Sequence, residues 1–516
     1  MAKLVRILLL LMAGTTLSLL AQSTSYGQAP AALASGTASG SISGAGAGAS
    51  ATAGSSEEEL RKRVAQLEAE MQEMREELKR LKQPASSVAT AGLTPAAAKE
   101  TAHLTVNETT SAGTEQAKPD SRDQRPGFEV GPVRVIPYGT ISVNLFGNSG
   151  GSNNGDVPLF ATPTGVGHVS ATGRETRFGL RLEGPKIAGA KSSGTLEADF
   201  SGGFPGIGTG EDFGVVRLRL AFLKLDWEKT TLEAGQDWTI FSPGNPVSLA
   251  SYGTPEFAGA GNLYARIPQI RLEHRWLDGK ISLAGAVLAS TTGDYPLSTS
   301  STPVPAVLQP GTGAASRVPA FESRFAFNGK DWFGSAKPGT IGISMHYGFA
   351  RVAPAPHTMD VDVMGVAGDW NIPFGQRVTL AGEAFFGRNL AGFQGDVLQT
   401  FIPDFAYRVG SRLVPGGPRA PGTRGGWAQL GYTPPTLDDK LSLYAGWGID
   451  DPRDSDFVSL SNRDSRLRNE SYELSFIYKF LPQLSWGLEY RRMETLYLIS
   501  NRQNNNHLNL SAAYSF

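Results

Sequence analysis

From residue 128 onward, apolar and polar side chains alternate in short runs. Phe178, Leu180 and Leu182 oppose Arg177, Arg181 and Glu183, and Leu196, Ala198 and Phe200 oppose Thr195, Glu197 and Asp199. Leu218, Leu220 and Phe222 oppose Arg217 and Arg219, and Ile141, Val143 and Leu145 oppose Tyr138, Thr140, Ser142 and Asn144. A strict period of two is the mark of a strand that divides two environments. The same pattern recurs near 230–238, 266–276, 280–290, 318–328, 339–350, 359–370, 376–388, 424–433, 440–449, 468–480 and 483–494. In the final run, 505–516, Leu508, Leu510, Ala512, Tyr514 and Phe516 share one face, and His507, Asn509, Ser511, Ala513 and Ser515 share the other. The pattern predicts sixteen strands.

The connections between these runs alternate in length. Glu228-Lys229, Leu277-Asp278-Gly279 and Leu481-Pro482 are short; 147–173, 239–265, 291–317, 389–423 and 450–467 are long. Tight turns at one end and long links at the other are the layout of a transmembrane barrel. A soluble β-sandwich turns its apolar face inward and does not sort its links by end. Here the polar face carries enough Arg and Glu to line water. The predicted fold is all-β, a 16-stranded antiparallel transmembrane β-barrel over 128–516. An even strand number puts both barrel ends on the short-turn, periplasmic side.

A short parallel α-helical coiled coil is predicted ahead of the barrel. Leu60, Val64, Leu67, Met71, Met74, Leu78 and Leu81 alternate spacings of four and three, a heptad seam. Ser56 and Glu59 form a capping-box pattern, and Pro84 stops the helix. In parallel partners Arg63 meets Glu68, Glu70 meets Arg75, and Glu77 meets Lys82, all opposite in sign. A lone amphipathic helix with a solvated charged face is the competing reading. The segment 56–83 would reach about 40 Å. It lies between an Ala/Gly/Ser-rich segment, 28–55, and an Ala/Ser/Thr/Pro-rich linker, 84–127, neither of which can bury a core. Residues 1–27 read as a signal peptide, with Lys3 and Arg6 ahead of the apolar run from Ile7.

Composition narrows the function. The formal net charge is −1, so no global field argues for nucleic acid. Cysteine is absent, which excludes thiolate metal sites, a cysteine nucleophile, disulfides and a lipidated N-terminal cysteine. No later apolar run reaches the roughly 18 residues of a membrane helix. An exported chain without such a helix enters a membrane only as a closed barrel.

Candidate chemistry lies on the polar face. Arg177, Arg181, Arg217, Arg219, Arg266, Arg271, Arg275 and Arg324 cluster in the first half, among Glu183, Glu197, Asp199, Glu233, Asp237, Glu273 and Glu322. The strand of Glu197 lies between those of Arg181 and Arg219, so cross-strand ion pairs are one reading of Arg177, Arg181, Arg217 and Arg219, and a pore-lining, anion-guiding role, shared with Arg266, is the other. The run 280–290 presents only Ser282, Ala284 and Ala286, so Arg271, Arg275 and Arg324 are expected to be less neutralised and to guide anions. The link 239–265 carries Tyr252, Phe257 and Tyr264 with a single charge, Glu256, and is expected to fold inward as a constriction loop. An exposed, mobile loop is the alternative. His103, His168, His274, His346, His357 and His507 form no zinc or triad motif. Ser344 and His346 share a polar face, a pair that reads as lumen polarity rather than catalysis. No enzyme activity, metal or cofactor is expected.

The C-terminal strand, with Leu508, Leu510, Tyr514 and Phe516, resembles the terminal insertion signal of bacterial outer-membrane barrels. That resemblance implies the barrel-assembly machinery as a partner. Sixteen strands with a long link after the fifth resemble the general trimeric porins. TRFGLRLEGP at 176–185, VRLRLAFLKL at 216–225, GQDWTIFSP at 235–243 and ARIPQIRLE at 265–273, behind an N-terminal coil, resemble DcaP-type porins. The resemblance implies a homotrimer in the outer membrane and passive uptake of small anions, especially dicarboxylates. A phosphate-selective porin is the runner-up and calls for a denser Lys/Arg ladder. A structural tether, its coil on peptidoglycan and its barrel an anchor, is a third reading.

Overall fold

The computed structural model describes residues 127–202, 214–251, 253–290, 311–352, 359–461 and 463–516. The signal peptide, the coiled-coil positions Leu60, Val64, Leu67, Met71, Met74, Leu78 and Leu81, both linkers, and Tyr252, His103 and His357 lie outside them.

Sixteen strands close into one antiparallel ring. They are β1 (Val133–Ser152), β2 (in two halves, Ala161–Thr172 and Arg177–Ile187), β3 (Ala190–Asp199), β4 (Arg217–Asp226), β5 (Thr230–Trp238), β6 (Arg266–Trp276), β7 (Ile281–Leu288) and β8 (Ala320–Gly329). The ring continues through β9 (Gly339–Val352), β10 (Met359–Phe374), β11 (Val378–Arg388), β12 (Gly422–Tyr432), β13 (Leu441–Pro452), β14 (Arg466–Lys479), β15 (Leu484–Tyr497) and β16 (Asn501–Ser515). Every alternating run of the sequence is one of these strands. The ring shuts between β1 and β16, from Thr140 opposite Ser515 to Asn148 opposite His507. Phe516 completes the seam by exchanging two backbone hydrogen bonds with Gly139, at 3.1 and 3.0 Å.

The outer surface is apolar because the alternation leaves nothing else there. On β16, Leu508, Leu510 and Tyr514 point out while His507, Asn509 and Ser511 are buried inside. Each large apolar side chain left in water costs about 1.5–3 kcal/mol, so a full belt of them demands lipid. At about 3.4 Å per residue and the usual barrel tilt, Leu508 to Phe516 spans about 20 Å, close to the apolar band of known barrels. Above Tyr472 and Tyr490 the outward face turns charged. Arg468 pairs with Glu470, and Arg492 and Arg502 share Glu494. That boundary marks where hydrocarbon ends.

The structure corrects the sequence reading in three places. The first long link shrinks to 153–160, because β1 runs on to Ser152 and β2 begins at Ala161. The links 353–358 and 498–500 are short although they belong to the long-link end, so the alternation of lengths is incomplete. Between β3 and β4 a bulge sets Glu197 opposite Leu220 and Ala198 opposite Leu218, with Arg219 as the inserted residue. One extra residue exchanges the faces of the strand. Beyond Arg219, Leu223 points outward, and Phe222 and Lys224 take the inner register instead of the outward positions assigned to Leu220 and Phe222. The bulge lets Arg217 and Arg219 both reach Asp199.

Candidate functional site: the inner lining of the barrel

The link 239–265 folds inward, and its route is written in its hydrogen bonds. Glu322 of β8 accepts from the amides of Ile240 and Phe241 at 3.0 and 3.1 Å. On β9, Ser344 Oγ accepts from Ser242 N at 3.0 Å. Glu383 of β11 accepts from Ser242 Oγ at 2.7 Å and from the Gly244 amide. Gln429 of β12 exchanges two bonds with Val247, at 2.8 and 2.9 Å. From β15, Glu489 accepts from Ser248, and Arg491 donates to Ser251 Oγ at 2.8 Å. The chain then reaches Gly253, back at β2 and β4. Residues 240–251 therefore follow the inner wall around most of the barrel.

Gly253 is held on both sides. Its amide donates to Glu175, which sits in the break between the halves of β2. Its carbonyl accepts from Arg217 Nη2 at 2.8 Å, Arg266 Nη2 at 3.3 Å and Arg219 Nη1 at 3.4 Å. The break in β2 exists for this contact and for its neighbour, since it also turns Arg174 inward onto Asp156. The link returns by a second pass. Glu256 meets Arg491, Phe257 stacks on Trp427 at 6.4 Å, and the Gly259 carbonyl accepts from Asn469 at 2.9 Å. Gly261, at φ +107°, lies so close to β12 that a Cβ would stand 2.1 Å from the Gly426 carbonyl oxygen. No side chain fits between link and wall there.

The long link 389–421 covers this second pass. Tyr264 N donates to the Phe393 carbonyl, and the Phe241 and Phe393 rings meet edge-on at 5.3 Å. Ile240, Phe241, Leu263, Leu390 and Phe393 form an apolar core inside the barrel, packed on Ala284, Ala286 and Ala320 of the wall. This overturns the reading of the alanine face of β7. It is acid-free because it receives packed apolar side chains, and the arginines around it are neutralised. Arg271 pairs with Glu233 at 2.8 Å and Asp237 at 3.2 Å, Arg275 with Asp226 at 3.0 Å, and Arg324 with Asp369 at 2.5 Å. Asp226 and Asp369 went unnoticed in the sequence, although both stand on strands, at inner-register positions.

The remaining predicted residues fall as follows. Arg177 lies 3.6 Å from Glu197, and Arg219 is buried against Glu197 and Asp199 at 2.7 and 2.9 Å. Arg181 lies over the Tyr138 ring at 4.8 Å, and Arg266 over the Trp238 ring at 4.7 Å. Glu256, Phe257 and Tyr264 are buried in the lining rather than turned to its open side. Among the described residues of the link, only Gly244, Asn245, Val247 and Thr254 keep partial exposure, and none is charged. Ser344 and His346 are both committed: Ser344 to the link, His346 to Glu322 at 3.0 Å. Each is buried, with no room for a substrate. Glu175, Glu383, Gln429, Asn469, Glu489 and Arg491 are the anchors that sequence reasoning missed. For Glu383, Gln429, Asn469, Glu489 and Arg491 the signal was the inner-facing alternation of the later strands; Glu175, in the break of β2, had none.

Burial pushes one acid of the link 389–421 up. Asp396 of the link 389–421 lies well above the usual carboxylate range, because it is fully buried and Asp450 stands near it. Its carboxylate accepts from Leu390 N, while Val397 N donates to Asp450 at 2.9 Å. A carboxyl whose folded value exceeds its unfolded one near 4 stabilises fully below pH ~4 and loses that contribution as pH rises through the raised value. Raising the pH is therefore expected to loosen the link 389–421, read as faster amide exchange over 389–398, and Asp396→Asn flattens that pH dependence.

No known protein-family profile matches the chain, and no curated protein sequence matches it. Solved structures do. The chain is similar to the outer membrane channel DcaP of Acinetobacter baumannii, with 18% identity, 76% of this chain and 99% of that chain covered, and a TM-score of 0.56. It is also similar to an anion-selective porin from Comamonas acidovorans (11% identity, 74% and 100% covered, TM-score 0.45) and to OprB of Pseudomonas putida (10%, 73% and 94%, 0.45). The chain shares the barrel fold of the Acinetobacter channel.

Proposed function

We propose that this chain is a DcaP-like outer-membrane porin for passive diffusion of small hydrophilic solutes, with a preference for anions of the dicarboxylate kind. One observation carries the reading: a closed ring of sixteen strands, apolar outside and polar inside, narrowed by a link anchored to the wall nearly all the way round. Passage through such a barrel needs no chemical step, only a water path whose charges bias entry.

The anion preference is supported by an asymmetry of charge. The sole acid of the link 239–265, Glu256, is turned into the wall against Arg491. Arg177, Arg181 and Arg217 keep partial exposure on the β2–β4 side, where Arg217 reaches the Gly253 carbonyl, and the partly exposed link residues carry no acid. Arg177 and Arg217 are paired with Glu197 and Asp199, but their side chains are 15% and 27% exposed, whereas Arg271, Arg275 and Arg324 lie deeper against their carboxylates at 6–11% and contribute less to this field. A homotrimer with a parallel coiled coil in the periplasm belongs to the same proposal, supported by the heptad seam of 56–83 and its complementary flanking charges.

Planar-bilayer recording tests the reading. The porin gives stepwise conductance in threes and a reversal potential of anionic sign under a salt gradient. The Arg177→Ala/Arg181→Ala double variant moves that potential toward zero, whereas Arg324→Ala moves it little. A barrel that passes no current ends the proposal, and an unchanged potential removes Arg177 and Arg181 from the selectivity site.

A further inference from the structure

Three carboxylates meet where β14 and β15 face the link 239–265. Glu473 and Glu489 come from the wall, and Glu256 comes to them from the link. One oxygen of each lies within 4.8 Å of the others, and all three residues are 1–2% exposed. A single cation stands among them. Arg491 Nε is 2.8 Å from Glu256 Oε1, and its Nη2 is 2.8 Å from Glu489 Oε1. The guanidinium is otherwise taken up by Ser251 Oγ and the Pro158 carbonyl. Three carboxylates against one guanidinium leave two negative charges closed off from water. Uncompensated buried charge costs several kcal/mol per ion, so the site takes up either protons or a cation.

The uncommitted oxygens point to the cation. Glu473 Oε2 accepts from Gln429 at 2.9 Å, yet its Oε1 has no hydrogen-bond partner, and Glu256 Oε2 has none either. Outside the acids, Asn262 donates to the Glu256 carbonyl at 2.7 Å and keeps a fully buried Oδ1 with no partner. Calcium holds oxygen ligands at about 2.3–2.6 Å, so two ligands of one ion stand at most ~5 Å apart. All three carboxylates fall within that reach. One proton shared between two of the carboxylates leaves the site a negative charge beyond the one that Arg491 neutralises. The charge of Ca²⁺ cancels the residual charge of the cluster.

We propose that Glu256, Glu473 and Glu489 bind one Ca²⁺ ion, which clips the second pass of the link to β14 and β15. The ion joins a link residue to two wall residues, so its removal loosens the lining on that side of the barrel.

Calorimetric titration of the full-length, detergent-solubilised protein with Ca²⁺ at neutral pH, after chelator treatment, tests this. One ion per chain is expected. Glu473→Gln preserves the acceptor for Gln429 and both Arg491 pairs, and is expected to weaken Ca²⁺ binding about tenfold or more. Glu489→Gln is the second variant, with the same expectation, should the first fail to give a heat-modifiable barrel. Glu183→Gln, on β2 away from the cluster, leaves binding unchanged. The proposal is overturned by absence of saturable binding up to millimolar Ca²⁺, which assigns neutralisation to protons. It is overturned equally by one-per-chain binding that survives both variants, which places the ion elsewhere. Binding is read without current, so its failure is distinct from a failure of the porin reading.

Discussion

Replacing Glu383 by alanine is expected to widen the passage and make single-channel current flicker, with the barrel still folded. Glu383 gathers three donors: Ser242 Oγ at 2.7 Å, the Gly244 amide, and Trp427 Nε1 at 3.2 Å. The carboxylate is buried, so its loss leaves those donors without a partner at about 1–3 kcal/mol each. The link has a way to recover that energy: Ser242 and Gly244 swing toward water in the lumen. Gly244 and Asn245 already keep partial exposure, so the first arc of the lining moves most. Glu322 and Gln429 still hold its two ends. Conductance above wild type with an unchanged heat-modified band is the expected pair of readings. Wild-type conductance would mean that the arc does not border the passage.

A larger loss is expected at the seam. A Cβ at Gly139 would stand 2.7 Å from the Arg177 carbonyl oxygen and 2.7 Å from the Phe516 ring. The carbonyl belongs to the β1–β2 ladder and does not move without breaking it. Gly139→Val therefore strains the ladder on one side of β1 and displaces the terminal aromatic on the other. Overpacking of this kind costs about 1–3 kcal/mol, and the two exchanged backbone bonds of Phe516 are lost with it. A barrel has no edge to absorb the error. The expected outcome is loss of the heat-modifiable form on gels and a resistant-to-soluble shift in protease digestion. A fully folded Gly139→Val barrel would show that Phe516 is not needed to close the ring.

Much of this architecture was legible along the chain. The strands from 128 onward declare themselves because a residue on a strand meets lipid or the interior according to parity alone, whatever its partner. The terminal run needed no tertiary knowledge: Leu508, Leu510 and Tyr514 on one face already specify an outer surface. The bulge at Arg219 escaped, since an inserted residue breaks parity without any change in residue type. The roles of the arginines escaped for a different reason. Their number was visible, but Arg324 is neutralised by Asp369 from two strands away in the ring, and Arg275 by Asp226, which sits at the far end of β4.

The route of the link 239–265 belongs wholly to the tertiary structure. Ser242 and Glu383 are 141 residues apart, Ser248 and Glu489 are 241 apart, and no local preference couples them. What the sequence determined by itself is the two-sidedness of the wall, because the period-two geometry of a strand turns composition directly into an inside and an outside. What only the closed barrel decided is which inner charges remain available to a solute, because neutralisation depends on the partner that strand register sets one or two strands away and not on the residue that carries the charge.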